Sequence, residues 1–239
     1  GERISIDALT GPSAPAGQWH IAQRVAGHRH SADDVLTAHF ALATNVRTDC
    51  LLDLGTGIGT VGLLVLSRMP GARLVGIEAQ PISHRLLLAN IAGNGLLDRV
   101  EPHLGDLRDL RLVETFALIT GSPPYFPVGT GVLPDDDQKK AARFELRGDV
   151  GDYARAAERH LADGGTFVFC FPTPQRTRAL AAVTEAGLVV HAYRDVIPRA
   201  TLQPLFTLFR CRRDRQTLEV LPPLVVRHED GALSAEMAS

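Results

Sequence analysis

The chain is short of cysteine, of charge imbalance and of long apolar runs, and each shortage removes a class of function. Its three cysteines, Cys50, Cys170 and Cys211, lie far apart, without C-x-x-C spacing, in or beside apolar strand-like runs. They read as buried small hydrophobes and offer neither a disulfide framework nor a zinc site. Nine histidines are present, but no H-x-x-x-H pair or Cys/His cluster occurs, so no metal is expected. Lys and Arg total 25 against 27 Asp and Glu, a formal net charge of −2. That balance gives no global attraction to nucleic acid or an anionic membrane, and any RNA binding needs a local patch. The richest cluster is Arg210, Arg212, Arg213 and Arg215, near Arg194 and Arg199, with Asp195 and Asp214 among them. It reads equally as a binding patch or a solvated strand edge. No apolar run reaches the roughly 18 residues of a membrane-spanning helix, and no secretory signal is visible, which points to a cytoplasmic setting. Gly1 in place of Met suggests a trimmed natural start.

What is present is an alternating α/β pattern. The 239 residues, 45% hydrophobic, suit one domain with added ends. Residues 1–30 read as a leader, 31–215 as the catalytic domain and 216–239 as a polar extension that begins near Pro222-Pro223, with only Leu224–Arg227 strand-like. Ser31 and Asp34 have the spacing of a helix N-cap with an acidic N3 residue. Strands are expected at about 50–54, 73–78, 100–104, 115–121, 165–171, 188–195 and 204–212, and helices at about 59–68, 81–94, 138–162 and 175–186. This alternation predicts a doubly wound, mixed seven-stranded sheet with helices on both faces. The last two strands leave no room for a helix between them and should pair antiparallel at one edge.

The strongest local signal is Leu51-Leu-Asp-Leu-Gly-Thr-Gly-Ile-Gly, an apolar strand that ends in an acid and a glycine turn before a helix. Glycines allow a tight turn and close approach of a ligand. A nicotinamide-binding loop would look similar. Asp53 favours a ligand with a cationic amino-acid end, as S-adenosylmethionine (AdoMet) has. Glu78 closes the next strand, where a carboxylate can accept from both ribose hydroxyls. Asp106, after the third strand, would lie over the adenine. Each acid alone reads equally as a cap or solvated turn, but three at successive strand ends fit a ligand at the edge where such sheets bind ligands.

The fourth strand runs into Gly121-Ser-Pro-Pro-Tyr-Phe. Two prolines fix the backbone and remove two amide donors, which leaves carbonyl oxygens free to face a ligand. A planar amino group needs such acceptors. Hydrogen bonds to the Ser122 side chain and the Pro123 carbonyl would turn its lone pair toward a methyl donor, with no strong base required. Tyr125 can stack on a flat substrate such as a base taken out of a loop.

Asp53-Leu-Gly-Thr-Gly, Glu78, Asp106 and Ser122-Pro-Pro-Tyr together resemble the class I AdoMet-dependent N-methyltransferases that carry an (Asn/Asp/Ser)-Pro-Pro-(Tyr/Phe) motif, over about residues 50–212. Gly27-His-Arg-His-Ser-Ala-Asp-Asp-Val-Leu, Glu78-Ala-Gln with Asn90 and Asn94-Gly-Leu, and Ala142-Arg-Phe-Glu-Leu resemble the bacterial tRNA(Val) adenine-N6 methyltransferase family. The resemblance implies a Rossmann-like class I methyltransferase fold with AdoMet held by Asp53, Gly55, Thr56, Gly57 and Gly59, then Glu78 with Ala79, and Asp106 with Leu107. It implies a catalytic loop of Ser122, Pro123, Pro124 and Tyr125 and an adenine in tRNA as the target; Arg29 and Phe126, beside these motifs, are the candidate substrate contacts. That family usually has Asn where this chain has Ser122. Serine there resembles some cytosine-N4 methyltransferases, and protein glutamine methyltransferases use a similar loop, so a cytosine, a protein amide or a small-molecule amine stays open. A non-catalytic AdoMet- or RNA-binding module and, more distantly, a nicotinamide oxidoreductase are the alternatives from other classes.

Other residues carry less. His28-Arg29-His30 can contact phosphate, cover the cofactor, or simply enter the helix. Asp135-Asp-Asp137 with Lys139-Lys140 reads as a mobile, solvated connection, and Trp19 as packing on the domain surface.

Overall fold

The central strands are near-continuous apolar runs, and the sheet therefore needs cover on both faces. In the computed structural model, which describes residues 3–130, 134–214 and 216–238, helices supply it. The elements run β1 (Ile4–Ala8), β2 (His20–Arg24), α1 (Ala32–Leu42), β3 (Cys50–Leu54), α2 (Thr60–Ser67), β4 (Arg73–Glu78), α3 (Pro81–Gly93), β5 (Val100–Leu104) and β6 (Phe116–Gly121). Then follow α4 (Asp137–Arg143), α5 (Val150–His160), β7 (Leu161–Pro172), α6 (Arg176–Glu185), β8 (Val189–Ile197), β9 (Phe206–Arg212), β10 (Glu219–Val225) and α7 (Ala235–Ala238). Strand β7 shows the division: Phe167, Phe169 and Phe171 enter the core with α5 and α6, whereas Val168 and Cys170 enter the one with α1, α2 and α3. Phe169 stacks on Phe209 of β9 with ring centroids 4.8 Å apart. Among the described residues no helix is long and apolar enough to cross a membrane.

The main sheet has the order β10-β8-β9-β7-β6-β3-β4-β5. Strands β7, β6, β3, β4 and β5 are parallel, and β9 runs antiparallel to both β7 and β8. The Rossmann-like arrangement is as expected, but the sheet has eight strands rather than seven. The added strand is β10, from the segment expected to be a polar extension; it pairs parallel with β8 and its register slips between Leu221 and Leu224, around the two prolines. Proline interrupts a strand signal without preventing an edge position. The β8–β9 pair consequently lies one strand inside the edge.

Two further differences have local causes. The helix expected over 138–162 is two helices, because the chain turns at Gly148 (φ +114°) and restarts at Asp149, whose carboxylate accepts the Asp152 N–H at 2.9 Å. The leader contains an antiparallel hairpin, β1–β2, in which the only tryptophan, Trp19, is buried beside it.

Two asparagines bind that hairpin to α3. Asn90 Oδ1 accepts the Ala22 N–H at 2.6 Å, and its Nδ2 donates to the carbonyls of Ala22 (3.2 Å) and Ile58 (2.9 Å). Asn94 pairs in the same way with His20, at 2.8 Å in both directions. Asn90 is buried and also reaches the glycine turn, whereas Asn94 is partly exposed. Asn90→Ala leaves buried backbone groups unpaired and should cost about 2 kcal/mol in urea unfolding, with Asn94→Ala costing less than about 1 kcal/mol; equal effects would contradict this account.

Candidate active site

The parallel strands end on one side of the sheet, and two adjoining cavities open there. The first lies over the β3–α2 turn, the place where open α/β sheets receive ligands. Its walls include Gly55, Thr56 and Gly57, then Glu78 at the end of β4 and Ala79 beyond it, Gly105 and Leu107 after β5, and Ser122 and Pro124 after β6. Glycine is required at the turn. Gly55 (φ +62°) is so close to α5 that a Cβ would lie 1.9 Å from the Tyr153 hydroxyl, and Gly57 (φ +60°) has its Cβ side open. Gly59 is turned away, toward Leu63 and Leu87, and begins α2.

Asp53 is buried and holds this end of the sheet together. One oxygen accepts from Thr56 Oγ1 (2.7 Å) and the Gly62 N–H (3.2 Å), and the other from Thr120 Oγ1 (2.7 Å). Burial still pushes its carboxyl above the usual range. Glu78 is buried too: its oxygens accept the Gly57 N–H at 2.8 Å and the Gln80 N–H at 2.6 Å, and burial raises it as well. The third acid differs. Asp106 is half-exposed, gripped by Arg108 at 2.6 and 2.9 Å, and held below its ordinary range by that contact. Its neighbours Gly105 and Leu107 line the cavity, but its own carboxylate is not among the lining groups.

The second cavity is a more open cleft beyond Ser122, and its lining is largely apolar. Val25, Pro123, Tyr125, Phe126, Leu205 and Phe206 form much of the wall, and Arg29, Lys139 and Arg143 bring positive charge to it. Tyr125 is fixed. Its ring packs on Phe171 and Phe206 with centroids 5.9 and 5.8 Å away, and its hydroxyl donates to Asp33. Its carbonyl accepts from Gln175 Nε2 at 2.8 Å. Phe126 is exposed, with Phe144 and the Arg143 guanidinium near its ring. Arg29 reaches the cleft while bound to Ser5 and Asp7 of β1 at 3.1 Å.

The structure also brings in residues that the sequence did not single out. Asp34, read there only as a helix cap, lines both cavities together with Ser122. Gln138, Arg147 and Tyr153 complete the first cavity. Their signal was hidden because Gln138 and Tyr153 sit in ordinary helical stretches and Arg147 in the short connection between α4 and α5. Of the acidic run at 135–137, Asp135 and Asp137 are exposed, but Asp136 caps α4 by accepting the Lys139 N–H and pairs with Arg24 at 2.8 Å. Gln138 then donates to Ser83 Oγ at 3.1 Å, so α4 covers the first cavity. Three arginines of the cluster are engaged by the fold. Arg210 donates to the Phe40 carbonyl, Arg212 to Thr166 and Arg213 to Glu158, while Arg215 lies outside the described residues.

Asp53→Ala strands the Gly62 N–H and two threonine hydroxyls and should lower Tm by roughly 4–8 °C, about 2 kcal/mol. Asp53→Asn should stay within about 2 °C, because the threonine hydroxyls can reverse direction. Equal losses measured by scanning calorimetry would refute this reading of the Asp53 contacts.

No protein-family model matches the chain. A protein of Porphyromonas gingivalis (strain W83) named tRNA1(Val) (adenine(37)-N6)-methyltransferase is 34% identical over 136 residues, 54% of this chain and 52% of that protein. The match thus spans about half the length of that relative. A protein of the same name from Aeromonas hydrophila is 26% identical over 218 residues, 91% of this chain and 90% of that one. Among solved structures, a predicted O-methyltransferase from Agrobacterium tumefaciens superposes with a TM-score of 0.66 at 18% identity, covering 86% of this chain and 93% of that chain. A ribosomal protein L11 methylase from Lactobacillus delbrueckii subsp. bulgaricus gives 0.57 at 14%, covering 78% and 81%. The fold of this chain is therefore the Rossmann-like α/β fold of these methyltransferases.

Proposed function

We propose that the chain is an AdoMet-dependent N-methyltransferase that methylates the exocyclic N6 amine of an adenine in tRNA. The observation that carries the reading is the position of Ser122-Pro-Pro-Tyr125 between the two cavities, with Ser122 lining both. A cofactor over the glycine turn and a flat base in the cleft would meet at that residue. The names of the Porphyromonas and Aeromonas relatives support the same substrate.

The first cavity fits AdoMet on its own chemistry: Gly55 and Gly57 expose backbone, and buried Asp53 and Glu78 place negative charge beside it. AdoMet would supply an electrophilic methyl group on a sulfonium. Glu78 keeps lone pairs free for ribose hydroxyls, Asp53 fixes the turn and faces the cationic end, and Ala79, Gly105 and Leu107 close the adenine end, with the Asp106 carboxylate beside them held by Arg108. In the cleft, Tyr125 and Phe126 give a flat substrate apolar surface. Ser122 Oγ and the Pro123 carbonyl accept from the amine and orient its lone pair, so the rate enhancement comes from positioning and fixed dipoles. Residues 31–215 would contain the catalytic apparatus, flanked by segments 1–30 and 216–239 that contribute the hairpin and β10.

The test is transfer of labelled methyl from AdoMet to total tRNA, with total protein and a metabolite extract in parallel. Label recovered as N6-methyladenosine is expected; label only in protein or small molecules would refute the RNA substrate. Ser122→Ala and Tyr125→Ala should each lower kcat by about tenfold to a hundredfold, and unchanged kcat in both would remove the loop from the site. If Arg29, Lys139 and Arg143 meet phosphates, tRNA binding should fall with salt at a log–log slope of about −2 to −3.

A further inference from the structure

Four residues line both cavities: His28, Asp34, Ser122 and Ala142. Asp34 is the only acid among them. As a cap it uses one oxygen, which accepts the Ser31 N–H at 3.1 Å. A cap on the protein surface needs nothing more, yet this carboxylate is half-buried and stands with Ser122 on the wall shared by the two cavities. The neighbouring Asp33 is spent on Tyr125 and Ser31, so the first turn of α1 holds both ends of the Ser-Pro-Pro-Tyr loop. A serine hydroxyl is shorter than an asparagine amide and is a weaker acceptor than a carboxylate. Asp34 behind it supplies what the serine lacks.

Resting on the N-methyltransferase reading, we propose that Asp34 acts with Ser122 as the proton acceptor for the target amine. The amine nitrogen donates its lone pair to form the N–CH3 bond as the C–S bond breaks with its electron pair left on sulfur. The nitrogen, now positive, gives its proton to the Asp34 carboxylate, directly or through the Ser122 hydroxyl, and Asp34 later releases it to solvent. Only the ionised carboxylate can do this.

The surroundings set the pH at which it is ionised. Burial, then the negative charge of Asp33 on the same helix and Asp53 on β3, raise the Asp34 carboxyl to about 7, against the Ser31 and Ser122 hydrogen bonds that lower it. Tyr125 and Cys170, from the loop after β6 and from β7, are pushed up by burial and stay neutral across this range. His28, from the loop before α1, is pushed down by burial, and His30 lines the first cavity. A raised carboxyl is protonated below its titration point and ionised above it, so the rate should rise with pH and level off above about 7.

The experiment measures kcat from pH 5 to 9 on the acceptor that takes up label, with S-adenosylhomocysteine binding by calorimetry alongside. The wild-type kcat should fall about tenfold per pH unit below about 7. Asp34→Asn should lose at least about tenfold in kcat and flatten the profile, with KM and S-adenosylhomocysteine affinity within about threefold. His28→Gln and His30→Gln should keep the pH dependence. A carbon-13 carboxyl resonance missing in Asp34→Asn should titrate near 7 in the wild type and shift in Ser122→Ala. Asp34→Asn with wild-type kcat or an unchanged profile overturns the proposal, as does a carboxyl that titrates below 5. A wild type that labels no acceptor overturns the N-methyltransferase reading, and this proposal with it; activity lost in Asp34→Asn alone cannot be confused with that result.

Discussion

The three hydrogen bonds into Asp53 are the constraint on which the site depends. They join the end of β3, the first residues after it, the first turn of α2 and the end of β6, four places separated by up to 67 residues of chain. Sheet pairing aligns β3 and β6 as far as Leu54 and Gly121, and the Asp53 contacts extend that alignment into the glycine turn and the start of α2. A buried carboxylate is costly unless its lone pairs are used, and here both oxygens are used. The same contacts orient Thr120, two residues before Ser122. Cofactor turn and substrate loop thus share one anchor.

Much of this was visible in the chain itself, for identifiable reasons. The β3 and β4 strands are continuous apolar runs because both faces are covered, and their terminal acids stand out against that background. Gly55, Gly57 and the two prolines at 123 and 124 mark places where the backbone has to do something unusual. Asp106 was legible as a position but not as a contact, because nothing in its spacing reveals that Arg108 two residues on would take the carboxylate. Asp34 was hidden by its own plausibility: the capping pattern explained it fully, and its place beside Ser122 exists only when the chain after β6 arrives from almost ninety residues away. The strand β10 was obscured by Pro222 and Pro223, and the break between α4 and α5 by a run of helix-compatible residues around one glycine.

The hairpin and α4 show how a site can be enclosed by segments that do not belong to the central layers. Asn90 and Asn94 treat the backbone of β2 as a partner strand would, but from a helix. Arg24, at the end of β2, then holds Asp136 and Gln138. Cover over the first cavity is therefore relayed from α3 to β2 to α4 through polar contacts, while the apolar core ends beneath it. Such contacts are shorter in reach and more exacting in geometry than apolar packing, and they allow a lid to sit firmly on a cavity that must stay polar.

The two outermost strands of the main sheet, β5 and β10, carry Pro102 and Pro222-Pro223. Proline offers no N–H, so neither border presents an unbroken row of donors to a passing extended chain. A protein with a net charge of only −2 gains little from mutual repulsion. Its defence against growing edge to edge into aggregates is built into these borders, at positions that take no part in the chemistry.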